Sequence, residues 1–286
     1  SYTTVKNNGA AVKTTISSSP ATVNFASGTV KGDTVVLQAS ATNSVGTTTT
    51  AQYTFNRVDT PATADIDSLR IYQVMVEAFQ DGDSRYDYNT GYGPSSHKGD
   101  LRGIINAIPY IKSLGCNAIW LTPIFNSNGS SQLDATGYFA YNYFEIDPKF
   151  GDLQDAKDLV KAAHDAEMYV FLDGVFGHHK SSGCAASPGG YTPTGNTVTS
   201  PFGDNPGVDY TDANTVNFYK EVATYWIDEL GIDGWRLDQA YQIHKNKVNC
   251  WDVIVSAVQA KCAARKAAGE KWGTLGYMVG EIWKGE

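Results

Sequence analysis

The sequence predicts an α/β chain, a parallel sheet covered by helices, preceded by a small all-β, sandwich-like domain. Three observations carry that expectation. From Leu69 onward, short apolar runs alternate with amphipathic stretches of helical period. Residues 1–58 are instead rich in Thr, Ser, Val, Ala and Gly, and alternate in "TVVLQASATNSVG" and "TTTTAQYTF". Charged and imidazole side chains gather where the apolar runs end, while the turns that lead into those runs ("LGCN", "AEMY", "LGID") are bland.

Taken in order, residues 1–58 read as about five short strands, a sandwich or the latter part of a larger one. Residues 59–67, with Pro61 among small polar residues, read as a linker to a second domain over 68–286. There "LRIYQVMVEAF" reads as a strand and "LRGIINAIPYIKSLG" as a helix closed by Gly115. "NAIWLTPIF" is a strand, and "DLQDAKDLVKAAHDAE" a helix with Asp152 as N-cap. "MYVFLDGVF" is a strand, and "DANTVNFYKEVATYWIDELG" a helix behind an acidic cap. "IDGWRLD" is a strand, "CWDVIVSAVQAKCAARKAAG" a helix and "LGYMVGEIW" a strand. Strands separated by amphipathic helices make a parallel sheet.

A chain of 286 residues is long enough for a full core and an accessory piece. Aromatic residues reach 12%, with 17 Tyr and 6 Trp, which suits stacking on sugar rings as well as core packing. A net charge of −8 argues against a nucleic-acid partner. No apolar run approaches the ~18–20 residues needed to cross a membrane. Ser1 opens no basic-plus-apolar leader, so a signal peptide is expected to have been removed or never present. The four cysteines allow three pairings. Cys250 and Cys262 fall on one helix and cannot meet there; Cys184 and Cys250 fall in loops placed on one face and are the pair expected first, with Cys116 a buried thiol opening a strand.

The stretch "GIDGWRLDQAY" (231–241) places Arg236 and Asp238 on one face of a strand at its carboxyl end, where parallel α/β folds gather their chemistry. Neighbouring strands lie about 4.8 Å apart. Asp238 and Glu281, ending adjacent strands, are thus expected roughly 5–6 Å apart, the separation of a retaining glycosidase. Arg236 is expected to lower the Asp238 pKa and keep that carboxylate ionised. Glu281, flanked by Ile282 and Trp283, is expected to stay protonated near neutral pH.

"DGVFGH" (173–178), "GWRLDQAY" (234–241) and "GEIW" (280–283) resemble three signature regions of the α-amylase family of glycoside hydrolases, in order. "GYFAYNYFEIDPKFG" (137–151) resembles that family's stretch after its second strand. The resemblance implies a (β/α)8 barrel with a small domain inserted after strand three, here about 177–210. It implies Asp238 as nucleophile, Glu281 as general acid/base and Arg236 as support to the nucleophile. Asp173, His178 and Tyr138 resemble sugar-contacting residues of the cleaved subsite. Three departures stand out. Gly177 replaces an Asn that ligates a widespread calcium, Tyr241-Gln242 replaces a Lys-His pair, and Thr136 replaces a frequent His. The third carboxylate of the family belongs to strand seven, whereas five strands are legible here.

"DGDSRYDYN" (81–89) followed by "KGD" (98–100) offers closely spaced oxygen donors, as Ca2+ requires. It resembles a calcium loop of cyclodextrin glucanotransferases, with Asp81, Asp83, Asp87, Gly99 and Asp100 as the matching positions. The other reading is a solvated acidic turn with Asp100 capping the next helix. The expected function is endo-type retaining hydrolysis of α-1,4 links in starch or maltodextrins, by a secreted or periplasmic protein. The remainder of the barrel is expected from a longer chain or a second fragment, and the chain alone is expected to be poorly active. A transglycosidase of the same family and a non-catalytic glucan-binding protein are the alternatives. The β-rich N-terminal domain, with Tyr2 and Tyr53 but no Trp, is expected to be a spacer or dimer-forming module.

Overall fold

A computed structural model of the chain describes residues 2–5, 11–14, 34–56, 66–86, 98–195, 207–241 and 251–282. The chain divides into two compact units, Ser1–Thr63 and Ala64–Glu286. In the first, β1 (Tyr2–Val5), β2 (Ala11–Thr14), β3 (Thr34–Thr42) and β4 (Thr48–Asn56) form one antiparallel sheet in the order β2-β1-β3-β4. The β3–β4 hairpin closes on Asn43, whose Oδ1 accepts from the N–H groups of Val45 (3.1 Å) and Thr47 (2.8 Å). An Asx side chain mimics a backbone turn in this way. The described strands make a single layer.

The second unit begins with β5 (Ile71–Val74), α1 (Val76–Phe79), α2 (Leu101–Ser113) and β6 (Ala118–Leu121). It continues through β7 (Phe125–Asn126), α3 (Gln132–Ala135), β8 (Asn142–Ile146), α4 (Leu153–Asp165) and β9 (Tyr169–Gly174). Last come α5 (Ala213–Leu230), β10 (Gly234–Leu237), α6 (Trp251–Ala267) and β11 (Tyr277–Gly280). Five of these strands form a parallel sheet in the order β11-β10-β9-β6-β5. Each crossover adds its strand to the same edge, so the sheet is wound in one direction, as in a barrel, without the reversal of a doubly wound fold.

Strand alternation divides the sheet into two faces. Ile119, Leu121, Val170, Leu172, Trp235 and Leu237 enter the large core under the helices. Ala118, Tyr169 and Phe171 point the other way and pack with Ile71, Trp120 and Tyr277. The large indoles of the main core are satisfied as well as buried: Trp226 Nε1 donates to the Tyr143 carbonyl (2.8 Å) and Trp235 Nε1 to that of Ala223 (3.0 Å).

The helix ends follow the local chemistry. Asp100, Asp152 and Asp212 cap α2, α4 and α5, and Gly231 ends α5 in the left-handed region, φ 75°. All five expected strands are shorter than their runs, and two show why. "LRIYQVMVEAF" stops at Val74, because the Val76 N–H turns to Thr122 Oγ1 (3.0 Å) and α1 begins. "NAIWLTPIF" stops at Leu121 ahead of Pro123, which has no N–H, and Phe125–Asn126 then pairs antiparallel with β8. Residues 177–195 and 207–210 carry no helix or strand beyond a bridge between Gly195 and Val208. Cys116, Cys184 and Cys262 are free thiols, Cys116 half-buried where a buried thiol was expected. Cys250, the expected partner of Cys184, lies outside the described residues.

The α4 cap is reciprocal: Asp152 accepts from the Asp155 N–H (2.8 Å) and Asp155 from the Asp152 N–H (3.1 Å). Asp155 also holds Arg102 and the Tyr86 hydroxyl, each at 2.5 Å. Asp152→Ala is therefore expected to lose about 1 kcal/mol in urea unfolding. Asp155→Ala is expected to lose more, because it also leaves Arg102 and Tyr86 without that partner.

Candidate active site

Three neighbouring strands present the site. Register places Arg236 of β10 opposite Asp173 of β9 and Val279 of β11. Beyond the strand ends the ladder continues for one step. The Asp238 N–H donates to the Gly174 carbonyl (3.0 Å) and the Glu281 N–H to the Leu237 carbonyl (2.9 Å), which fixes both carboxylates at the carboxyl edge.

The Arg236 guanidinium ties these strands together. Its Nη1 donates to both oxygens of Asp173 (2.8 Å each) and to Asp238 Oδ1 (3.1 Å), and Nη2 lies 2.9 Å from Glu281 Oε1. The guanidinium carbon stands 4.9 Å from the ring centre of Trp120, a cation–π contact. Asp173 Oδ2 also accepts from the Tyr138 hydroxyl (2.9 Å) and Trp120 Nε1 (3.3 Å). The Asp173 side chain is fully buried, that of Asp238 9% exposed and that of Glu281 35% exposed. Access thus rises from the innermost carboxylate to the outermost.

Electrostatics correct one expectation. Burial, then the Asp173 charge, push Asp238 up from 3.8 to about 7, against the opposing pull of Arg236. Burial likewise raises Asp173 to about 6 despite Arg236, Tyr138 and Trp120. Arg236 was expected to keep Asp238 ionised, but two of its three short Nη1 contacts go to Asp173. Burial weakens the Arg236 charge too, yet the carboxylates outweigh it and hold the guanidinium protonated, above its usual range.

Tyr138, His178, Arg236, Asp238 and Glu281 line a common cavity of about 350 Å³. His178 Nε2 bonds the Tyr138 carbonyl (3.0 Å), and its ring lies 5.8 Å from that of Phe139. Asp173 stands behind this surface, through Tyr138 and Arg236. Sequence reasoning missed Trp120 and Gln239. Trp120 was legible, since it alternates with the core residues Ile119 and Leu121 and must point inward. Gln239 was not: it takes a left-handed φ of 43°, and its N–H donates to Glu281 Oε2 (3.1 Å).

Two of the expected calcium ligands, Asp83 and Asp100, are engaged elsewhere. Asp83 Oδ2 pairs with Arg85 (2.6 Å). Asp100 Oδ2 accepts from the Gly82 (3.0 Å) and Asp83 (2.8 Å) N–H groups, and Oδ1 from Gly103 (2.7 Å), the capping role of the alternative reading. The Gly99 N–H donates to the Glu77 carbonyl (2.7 Å). Asp81 is exposed and Asp87 lies outside the described residues. Among the described residues no group of three His, Cys, Asp or Glu side chains is placed to hold a metal ion. In this arrangement Asp83 is committed to Arg85 and Asp100 to backbone N–H groups.

A parallel sheet with ionisable groups converging at its carboxyl edge is where α/β enzymes place their active sites. Residues 73–186 match the family model "Alpha amylase, catalytic domain". The chain is 35% identical over 242 residues to a cyclomaltodextrinase of Thermoanaerobacter pseudethanolicus, covering 74% of this chain and 39% of that protein. A cyclomaltodextrin glucanotransferase of Klebsiella oxytoca is 32% identical, over 63% of this chain and 34% of that protein. Among solved structures, AmyP in complex with maltose shares 48% identity and a TM-score of 0.68, covering 81% of this chain and 46% of that one. The chain belongs to the α-amylase family of glycoside hydrolases, and it spans less than half the length of these relatives.

Between about pH 4 and pH 7 the folded protein keeps a proton on Asp238 that the unfolded chain has released, so this group's contribution to stability falls as pH rises. Asp238→Asn is expected to melt at higher temperature than the parent at pH 8, by on the order of 2–4 kcal/mol in unfolding free energy. The gain should vanish towards pH 4. Thermal melts across that range check both the sign and the window.

Proposed function

We propose that the chain carries the nucleophile and the general acid/base of a retaining α-glucan hydrolase, cutting α-1,4 links within starch or maltodextrins. The observation that supports this most is Arg236 holding Asp173, Asp238 and Glu281 at the ends of strands that open on one cavity. In this reading Asp238, ionised, attacks the anomeric carbon, while Glu281 delivers a proton to the departing glycosidic oxygen. Water then displaces the Asp238 ester as Glu281 takes the water's proton, which restores both groups. Tyr138 and His178 bind the sugar at the cleaved position, and Asp173 holds Arg236 and Tyr138 in place.

The proposal includes closure of the barrel by its remaining strands, from a longer chain or a second fragment, with the third family carboxylate among them. The inward face supports this, since it carries Trp120, Phe171 and Tyr277 and leaves Val279 40% exposed. Likeness to a cyclomaltodextrin glucanotransferase supports transglycosylation as the second reading. Products formed with excess maltose or glucose as acceptor separate the two. Export is proposed on the family resemblance together with the acidic loop, and cell fractionation tests it. Calcium binding would require Asp83 to exchange Arg85 for the ion. A calcium-dependent rise in melting temperature that Asp81→Asn abolishes would support it, and no shift would overturn it.

Asp238→Asn and Glu281→Gln are each expected to lower kcat on maltooligosaccharides by about 10³-fold. Maltotriose binding without turnover in the parent, assayed with the barrel complete, would instead indicate a glucan-binding protein. In the active parent, kcat/KM should rise through about pH 7 as Asp238 ionises. Asp173→Asn removes the like charge beside Asp238 and should move that rise to lower pH; a pH–rate profile reads the displacement.

A further inference from the structure

Behind the cavity wall lies a charged cluster that the proposed chemistry does not use. Leu133, Ala135 and Thr136 face the cavity, while Asp134 between them is buried away from it. Asp134 Oδ2 accepts from the N–H (2.9 Å) and hydroxyl (2.7 Å) of Ser131, and Oδ1 from Lys180 Nζ (2.5 Å). Lys180 follows His178 by two residues, and its own N–H donates to the Ala140 carbonyl (2.9 Å), two residues beyond Tyr138. One ion pair therefore stands behind the wall at 133–136 and beside both candidate sugar-contacting residues. Burial opposes the Asp134 charge, but Lys180 and Ser131 outweigh it and hold the carboxylate below its usual range.

The loop leading into α3 is pinned from its other side. Lys149 Nζ donates to Ser127 Oγ (2.8 Å) and the Gly129 carbonyl (2.9 Å) and pairs with Asp147 (2.8 Å). Ser127, Asp147 and Lys149 are all buried. Gly129 passes so close to the outer pair that a Cβ there would overlap the Asp134 carboxylate and the Lys180 ammonium. A helix of four residues has no independent stability, so α3 takes its position from these contacts.

We propose that the Lys180–Asp134 ion pair is a positioning device that sets the wall at 133–136 against Tyr138 and His178, and so sets affinity for the glucan without taking part in bond cleavage. The ligand class rests on the function proposed above; the coupling of the two segments does not. The test compares Lys180→Met, Lys180→Arg and Gly129→Ala with the parent, by amide hydrogen exchange and maltotriose titration. Lys180→Met should speed exchange in 131–140 and 178–185 by about tenfold, leaving α4 and β9 unchanged. Gly129→Ala, which wedges the pair apart without removing a charge, should act in the same direction. Lys180→Arg should restore most of the protection.

Maltotriose affinity should fall about tenfold in the Met and Ala variants, and in turnover KM should rise with kcat nearly constant. Unchanged exchange in both segments overturns the proposal. Loss of protection spread equally over α4 and β9 also overturns it, because the pair would then be a general stability element. If the parent, with the barrel complete, binds no maltotriose, the α-glucan reading fails while the exchange data still decide this one.

Discussion

The Arg236 guanidinium is closed in by carboxylates where three parallel strands end, and that burial constrains the rest of the second unit. A buried cation without partners costs several kcal/mol, and the same holds for each buried carboxylate. Neither Asp173 nor Arg236 can therefore occupy its place alone. Their pairing requires β9 and β10 in the observed register, with Asp173 opposite Arg236. The register in turn fixes Trp235 and Leu237 to the helix-covered face, because side chains alternate. A slip of one residue would put the guanidinium into the aliphatic core. The ion cluster thus opposes misregistration of the sheet even where it adds little net stability.

Much of this was legible because the signals are local. The period-two and period-3.6 patterns placed the five parallel strands and the four long helices, and the caps at Asp152 and Gly231 fall where capping chemistry requires. The convergence of Arg236, Asp238 and Glu281 followed from strand ends alone. Other features escaped for physical reasons. The β7–β8 hairpin has a two-residue strand, too short to show alternation. The upward shift of Asp173 and Asp238 comes first from burial, whose depth spacing cannot reveal.

Asp233 shows the same limit at the opposite edge of the sheet, in a turn that reads as bland. It is fully buried, with Oδ2 accepting from the Val170 N–H (2.9 Å) and pairing with His164 (2.9 Å), and Oδ1 accepting from Gly273 (2.9 Å). The His164 ring stacks on Trp272 at 4.3 Å. Both edges therefore hold buried carboxylates, and burial alone does not mark a functional site. What separates them is satisfaction and access. Asp233 spends its oxygens on backbone amides and a stacked histidine and is fully buried. Asp238 shares one guanidinium with Asp173 and Glu281 and lines the cavity. Only the second arrangement leaves a carboxylate with something to gain from a ligand.

That gain has a definite sign. The desolvation that raises Asp238 to about 7 also removes the water that would screen it. A neutral sugar entering the cavity displaces more water and makes the isolated charge costlier still. A sugar ring developing positive charge at its anomeric carbon does the opposite, because it supplies the opposite charge that Arg236 gives mostly to Asp173. In the proposed reaction such a site would favour the charge-separated state over the bound neutral sugar, and that difference, not tight binding of the glucan, would lower the barrier. Division of the guanidinium between Asp173 and Asp238 is then part of the chemistry: an arginine devoted to Asp238 would satisfy it beforehand and leave less stabilisation for the transition state.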